Sequence, residues 1–180
     1  EQYGDNVKVM RNAVARNADQ YKYTFGAACD EEEILLKAIK KDANLLEFAS
    51  PRLRASESIV LEAVSRKPAV IKFAVKDPAI FDNIAIMQLV LPMLPMYYAV
   101  AGINVRSDLV CIRCAFSFNG NLYKYIPEHL KSSVDLLKLA VNSHATAILF
   151  ATHSMQQVDE IVHLAAKKEP SILLRLHSKN

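Results

Sequence analysis

The sequence predicts an all-α chain, an α-solenoid of about seven helix-pair repeats of 25 residues, and three observations carry that prediction. The 180 residues are 52% hydrophobic with only 4 Gly, 7 Pro and no Trp, which suits helices packed on helices and argues against a turn-rich β protein. A column recurs at a fixed step through Ala13, Ala38, Ala63, Gln88, Ala115, Ala140 and Ala165, each 25 from the last except for one step of 27 after Gln88. The flanking columns are apolar throughout. They run Val9, Ile34, Ile59, Ile84, Cys111, Leu136 and Ile161 four residues earlier, and Val14, Ile39, Val64, Leu89, Phe116, Val141 and Ala166 one residue later. A constant period of this length marks a repeat architecture, in which each repeat is one supersecondary unit.

The columns place the elements within a repeat. Apolar residues four and three before the alanine, at it, and one after it form a single stripe at about 3.6 residues per turn, so the repeat opens with an amphipathic helix. The small alanine lets a neighbouring helix approach closely. N-cap candidates stand eight before the alanine column, at Asp5, Asp30, Ser107 and Ser132, where a side-chain oxygen can accept from an unpaired N–H. The helix ends near Asn17, Asp42 and Asn119. A second stripe follows, as in Leu46, Ala49 and Leu53 or Tyr123, Ile126 and Leu130, and predicts a shorter second helix. Ten residues after the alanine column stands an aromatic, at Tyr23, Phe48, Phe73, Tyr98, Tyr125 and Phe150, replaced only by Arg175 in the last repeat. The resulting single domain divides near 5–29, 30–54, 55–80, 81–106, 107–131, 132–156 and 157–180. Neither helix can bury its stripe alone, so consecutive pairs must stack.

The segments Ser58-IVLEAVSRKPAVIKFAV and Leu36-KAIKKDANLLEFASPRL carry a resemblance to a known family. Their apolar stripe ends in Glu-Ala-Val or a similar triplet, followed by Leu, an aromatic and Ala, and in this they resemble the tandem repeats of the domain-of-unknown-function family 4116. The resemblance spans nearly the full chain and is strongest in the second and third repeats. It implies tandem helical repeats of a kind found in proteins of protists and some intracellular bacteria, and it implies no activity.

The chemistry-bearing residues are sparse. The 22 basic and 19 acidic residues are interspersed and leave a formal charge of +3, so no polybasic tail signals nucleic acid or anionic lipid. Three cysteines fit a reducing, intracellular compartment better than a disulfide framework. Cys111 and Cys114 make a C-x-x-C, but Cys111 falls in a core column and a zinc site needs two further ligands. His129, His144, His153, His163 and His177 show no metal-ligand spacing on one helix, and the acidic run Asp30 to Glu33 serves a helix start. With no phosphate-binding glycine loop, nucleophile elbow or paired carboxylates, the expectation is a non-catalytic protein without cofactor or metal.

The fourth repeat is the most conspicuous. From Ile84 to Ile103 the chain carries no charge, a length that would cross a bilayer, yet Pro92 and Pro95 would break a spanning helix and a membrane is the less favoured partner. Apolar residues outside the core columns, Met87, Val90, Met93 and Tyr97, are expected to form an exposed patch for a protein partner, and the two extra residues are expected near Gly102 to Ser107. Two interrupted basic ladders, Arg16, Lys41, Arg66 and Lys168 three after the alanine column and Lys22, Lys72 and Lys124 one before the aromatic, form a solvated face or a groove tracking nucleic acid. The chain therefore reads as a scaffold that binds another protein, as adaptor or subunit of a larger assembly, with nucleic-acid binding as the alternative. The last repeat, with Ile172, Leu173 and Leu174, should expose an apolar end that another chain or further sequence covers. If the aromatic column belongs to the core, Phe48→Ala or Phe73→Ala should cost about 3 to 5 kcal/mol in a denaturant titration.

Overall fold

The computed structural model describes residues 6–75 and 77–177. Every regular element among them is helical, and the chain forms two compact units, one ending at Met93 and one beginning at Leu94. The candidate cap Asp5 lies outside the described residues, as does the side chain of His177.

In the first unit, α1 (Val7–Arg16) leads into 3₁₀ segments Ala18–Tyr23 and Gly26–Asp30. Then α2 (Glu32–Ile39), the 3₁₀ segment Ala43–Phe48 and a short α3 (Pro51–Arg54) make one repeat. The next consists of α4 (Glu57–Arg66), Pro68–Phe73 and α5 (Pro78–Phe81), and α6 (Ile84–Val90) closes the unit. The second unit opens with Pro95–Val100 and α7 (Ile103–Ser107), followed by α8 (Leu109–Phe118), Gly120–Tyr125 and Glu128–Leu130. It continues through α9 (Val134–Ser143), Ala145–Phe150 and α10 (His153–Gln156), and ends on α11 (Asp159–Lys168) and α12 (Ile172–His177).

The repeat is thus three-part, and the expected second helix is split. Leu46, Ala49 and Leu53 are all buried, but an extended residue, Ser50, separates the 3₁₀ turn from α3. Pro51 and Pro78 stand at the first position of α3 and α5, where a missing N–H costs nothing. Within each unit like packs on like. In the first, α1 packs on α2, α2 on α4 and α4 on α6, while the 3₁₀ segments pack in the same order; in the second, α8 packs on α9 and α9 on α11. The same ion pair recurs between successive long helices, Arg11 to Glu33 at 3.3 Å in one unit and Lys138 to Glu160 at 2.6 Å in the other, so both units stack in one register. Both pairs are exposed and mark the register rather than stabilise it.

Three expectations are corrected. The caps fall one residue later than expected: Asn6, Asn83, Asp108 and Ser133 accept from the backbone N–H three residues on. Asp30 instead accepts from Ser50 Oγ and Arg52 Nε, which hold its carboxyl below the usual range. The 27-residue step lies before the fourth repeat, not after it. Four residues separate Phe73 from Pro78 where two separate Phe48 from Pro51, and every later element keeps the 25-residue step. The segment Gly102 to Ser107 is an ordinary short helix, and the fourth repeat's core residues are Ile86, Met87, Val90 and Leu91, all fully buried.

The third correction concerns the aromatic column. With the register moved by two, Tyr98 aligns with Tyr21, Leu46, Ile71, Tyr123 and Ile148, which are all fully buried, and Val100 takes the place given to the aromatic. A 3₁₀ segment turns three residues at a time, so residues eight and eleven after the alanine face inward while the tenth does not. Tyr23 is 68% exposed and Phe48 41%, with Phe73 and Tyr125 half-buried. The buried tyrosines have their own role. Tyr21, Tyr98 and Tyr123 each donate from the hydroxyl to the carbonyl eight residues on, at Cys29, Arg106 and Lys131, all at 2.9 Å. Tyr98 and Tyr123 also clasp the Phe116 ring from either side, at 5.9 and 6.0 Å. Burial raises all three hydroxyl pKa values, that of Tyr123 to about 12.

Ala18, Ala43, Gly120 and Ala145 start 3₁₀ segments with a small residue, and Gly120 shows why. A Cβ there would lie 1.9 Å from the Ala140 carbonyl oxygen, and its N–H donates to Ser143 Oγ and His144 Nδ1. At the C-terminal end Ile172 and Leu176 are buried, while Leu174 is 76% exposed.

Tyr98→Ala should therefore cost about 3 to 5 kcal/mol, as a buried aromatic does, and Phe48→Ala clearly less than about 3 kcal/mol, measured as midpoint shifts in denaturant. Equal losses would restore the aromatic column to the core. Gly120→Ala should cost about 1 to 3 kcal/mol through the backbone overlap. Tyrosines that are neutral donors in the folded chain stabilise it below the unfolded pKa of about 10. Stability should fall as pH rises from about 10 towards the folded value, and Tyr123→Phe should remove part of that slope.

Candidate functional site

The outward side of the 3₁₀ segments carries one basic ladder, Lys22, Lys72 and Lys124, beside residues of the aromatic column. In the first unit Lys22, Glu47 and Lys72 alternate with Tyr23, Phe48 and Phe73; in the second, Lys124 and Tyr125 are followed one repeat later by Phe150. Each lysine has a contact within its own unit, an ion pair for Lys22 and aromatic rings for Lys72 and Lys124. Lys22 pairs with Asp19 at 2.8 Å, which raises its pKa. The Lys72 ammonium lies 4.7 Å from the Phe73 ring centre, and that of Lys124 lies 4.8 Å from Tyr125 and 5.8 Å from Phe150. Lys124 thereby links two successive repeats over their rings.

The other basic ladder is largely structural. Arg66 donates to the Lys40 carbonyl at 3.2 Å and pairs with Glu62, and Lys168 donates to the Asn142 carbonyl at 2.7 Å. Both positions are three after the alanine column, and both carbonyls end the long helix of the preceding repeat. A cation there completes an orphan acceptor and meets the negative end of the helix dipole. Arg16 and Lys41 occupy the same position at exposed helix ends.

The expected apolar patch is dismantled. Met87 and Val90 are fully buried among the core columns, because the two-residue shift turns them inward. Met93 is 70% exposed, and Tyr97 is half-buried. The exposed apolar side chains on the 3₁₀ segment Pro95–Val100 are instead Met96 and Val100, 63% and 64% exposed, which the column reading does not single out. Their signal was the register, since Val100 is the member of the aromatic column that follows Phe73 by 27 residues.

Within the second unit this side holds a cleft of roughly 370 Å³ between Pro95–Val100 and Gly120–Tyr125. Its walls are Pro95, Met96, Ala99, Leu122 and the Tyr125 ring, with Asn119, Asn121 and Lys124 as the polar groups. Asn119 Oδ1 accepts from the Asn121 N–H at 3.0 Å, and Asn121 Oδ1 accepts from the Thr146 hydroxyl at 2.7 Å. Each amide oxygen thus takes one hydrogen bond within the fold, and the NH₂ groups are available as donors. No carboxylate lines the cleft.

Elsewhere the chemistry is quiet. Among the described residues no group of three or more His, Cys, Asp or Glu could hold a metal, and no helix is long and apolar enough to cross a membrane. His129, His144, His153 and His163 are exposed. Cys111 is a buried thiol pushed up to about 12, chiefly by burial, and burial raises Cys114 as well, so both favour the unreactive protonated form.

Tandem three-part helical repeats, stacked like on like within each unit, define a helical-repeat protein. More narrowly, the chain belongs to the family described as Domain of unknown function (DUF4116), whose model matches residues 31–77 and 112–156, just over half of its length. The first match runs from the cap of α2 to the end of the four-residue link before α5. No curated protein matches the chain, and no solved structure does.

The helix-end contact at Lys168 gives a direct check. Lys168→Met should destabilise the second unit by about 0.3 to 1 kcal/mol, with the loss shrinking in high salt as a helix-end charge effect does. A change insensitive to salt would contradict the helix-end role.

Proposed function

We propose that the chain is a non-catalytic helical-repeat scaffold that binds another protein along the outward edge of its 3₁₀ segments. One observation carries the reading: in each unit the outward side of the 3₁₀ segments places large apolar or aromatic side chains at the surface, Tyr23 and Phe48 in the first and Met96, Val100 and Phe150 in the second. Recurrent exposed apolar side chains on one side of a repeat protein are a poor arrangement for solvent and a good one for a partner. Protein-binding hot spots favour aromatic side chains of this kind. Met93 remains a candidate contact from the original patch. The architecture proposed is an α-solenoid of seven repeats, supported by the recurrence of one step through the chain with a single two-residue insertion in a link.

Nucleic acid is the rival occupant, through Arg16, Lys22, Lys41, Arg66, Lys72 and Lys124. The rings count against it. A single strand gains most from bases stacked on open aromatic faces, and here the Lys72 and Lys124 ammoniums already lie over Phe73, Tyr125 and Phe150. Arg66 is moreover engaged by its own fold.

The test compares the wild-type chain with Tyr23→Ser/Phe48→Ser and with Met96→Ser/Val100→Ser in affinity capture followed by mass spectrometry, all three matched for melting temperature. A defined protein partner retained by the wild type and lost from either variant is the expected result. Equal retention by all three would sink the reading, and capture abolished by nuclease would favour nucleic acid.

A further inference from the structure

The cleft of the second unit narrows the partner's chemistry, on the reading that this edge binds protein. We propose that it receives an extended acidic segment of the partner, with a carboxylate on Lys124, backbone carbonyls on the Asn119 and Asn121 amides, and an apolar side chain against Met96 and Leu122. The charged group and the two amide NH₂ groups that the cleft presents are donors, and the Tyr125 hydroxyl can donate as well as accept. The two asparagines are held in that sense by their own fold, because Asn121 N–H and the Thr146 hydroxyl occupy their oxygens. Neither NH₂ group donates to any described residue, and Lys124 has ring contacts but no anionic partner. A ligand that suits these groups brings acceptors and negative charge, and an extended acidic protein segment brings both, as backbone carbonyls and a side-chain carboxylate that makes a charge-assisted bond to Lys124.

Spacing supports the same occupant. Packed helices lie about 8 to 10 Å apart, and three residues of a polyproline-II chain advance about 9.3 Å. An extended segment can thus set one side chain into each successive repeat, with Lys124 between the Tyr125 and Phe150 rungs.

The experiment is selection of a random peptide library displayed on phage against the full chain, followed by affinity measurements on the selected peptide. Expected are peptides with an obligatory Asp or Glu and an apolar residue within a few positions, bound roughly tenfold or more weakly by Lys124→Gln and restored by Lys124→Arg. Changing the peptide's acid to its amide should cost a similar factor, and the two losses should not add, since both remove one contact. Selected peptides that are neutral and indifferent to Lys124→Gln would overturn the acidic assignment while leaving protein binding on this edge intact. No enriched peptide, or a single-stranded oligonucleotide that binds more tightly than any peptide and is weakened by Lys124→Gln, would overturn both.

Discussion

Among the described residues no helix is long enough to stand alone, and that constraint governs everything else. The longest run to ten residues, below the roughly 12 to 15 at which an isolated helix becomes even marginal in water. The 3₁₀ segments are weaker still, since their hydrogen bonds are poorly aligned. Stability must come from apolar stripes buried against neighbours, and the alanine column makes this efficient. Ala38, Ala63, Ala115, Ala140 and Ala165 are fully buried, each flanked by larger apolar residues that the close approach brings together. The polar fittings follow from the same stacking. Tyrosine hydroxyls satisfy carbonyls at the ends of short helices, and basic side chains satisfy those at the ends of long ones.

The fold was largely legible because burial leaves a period. Ile34, Leu35, Ala38 and Ile39, and their counterparts in the third, fifth and sixth repeats, stand where the columns put them. The fourth repeat was misaligned for a physical reason. Ile84 to Val90 is apolar on every side, so a slip of two residues exchanges one apolar set for another, and only the misfit of Gln88 betrayed it. The prolines offered a better anchor: Pro51 and Pro78 begin equivalent helices 27 residues apart. Asp30 was placed as a cap because a carboxylate before a helix usually is one; only the fold brings Arg52 to it.

The candidate edge was legible in its residues and not in its role. A recurrent aromatic looks the same in sequence whether it is buried or presented, and the difference lies in the turn. A continuous second α-helix would have left Phe48 near the core, whereas three residues per turn put Leu45 and Leu46 inside and Glu47 and Phe48 outside. The cleft was beyond reach for a similar reason. Asn119 and Asn121 are unremarkable helix-end residues until Thr146, 25 residues further on, takes up an amide oxygen and decides which end of the side chain faces out.

The recurring ion pair between long helices, seen once in each unit, also bears on how such a chain can grow. Arg11 to Glu33 and Lys138 to Glu160 join the same positions of successive repeats. A segment of 25 codons copied in frame from the sixth repeat would arrive with its own cap, its own stripe and, in Asp135 and Lys138, an acid and a base at the two positions of that pair. The junctions on either side would be of the kind the chain already contains. Lengthening by duplication then needs no compensating change in the flanking repeats, whereas a partial copy would strand a basic residue against the wrong neighbour. The chain is in this sense self-templating at the level of the gene, with the repeat as its heritable unit of size.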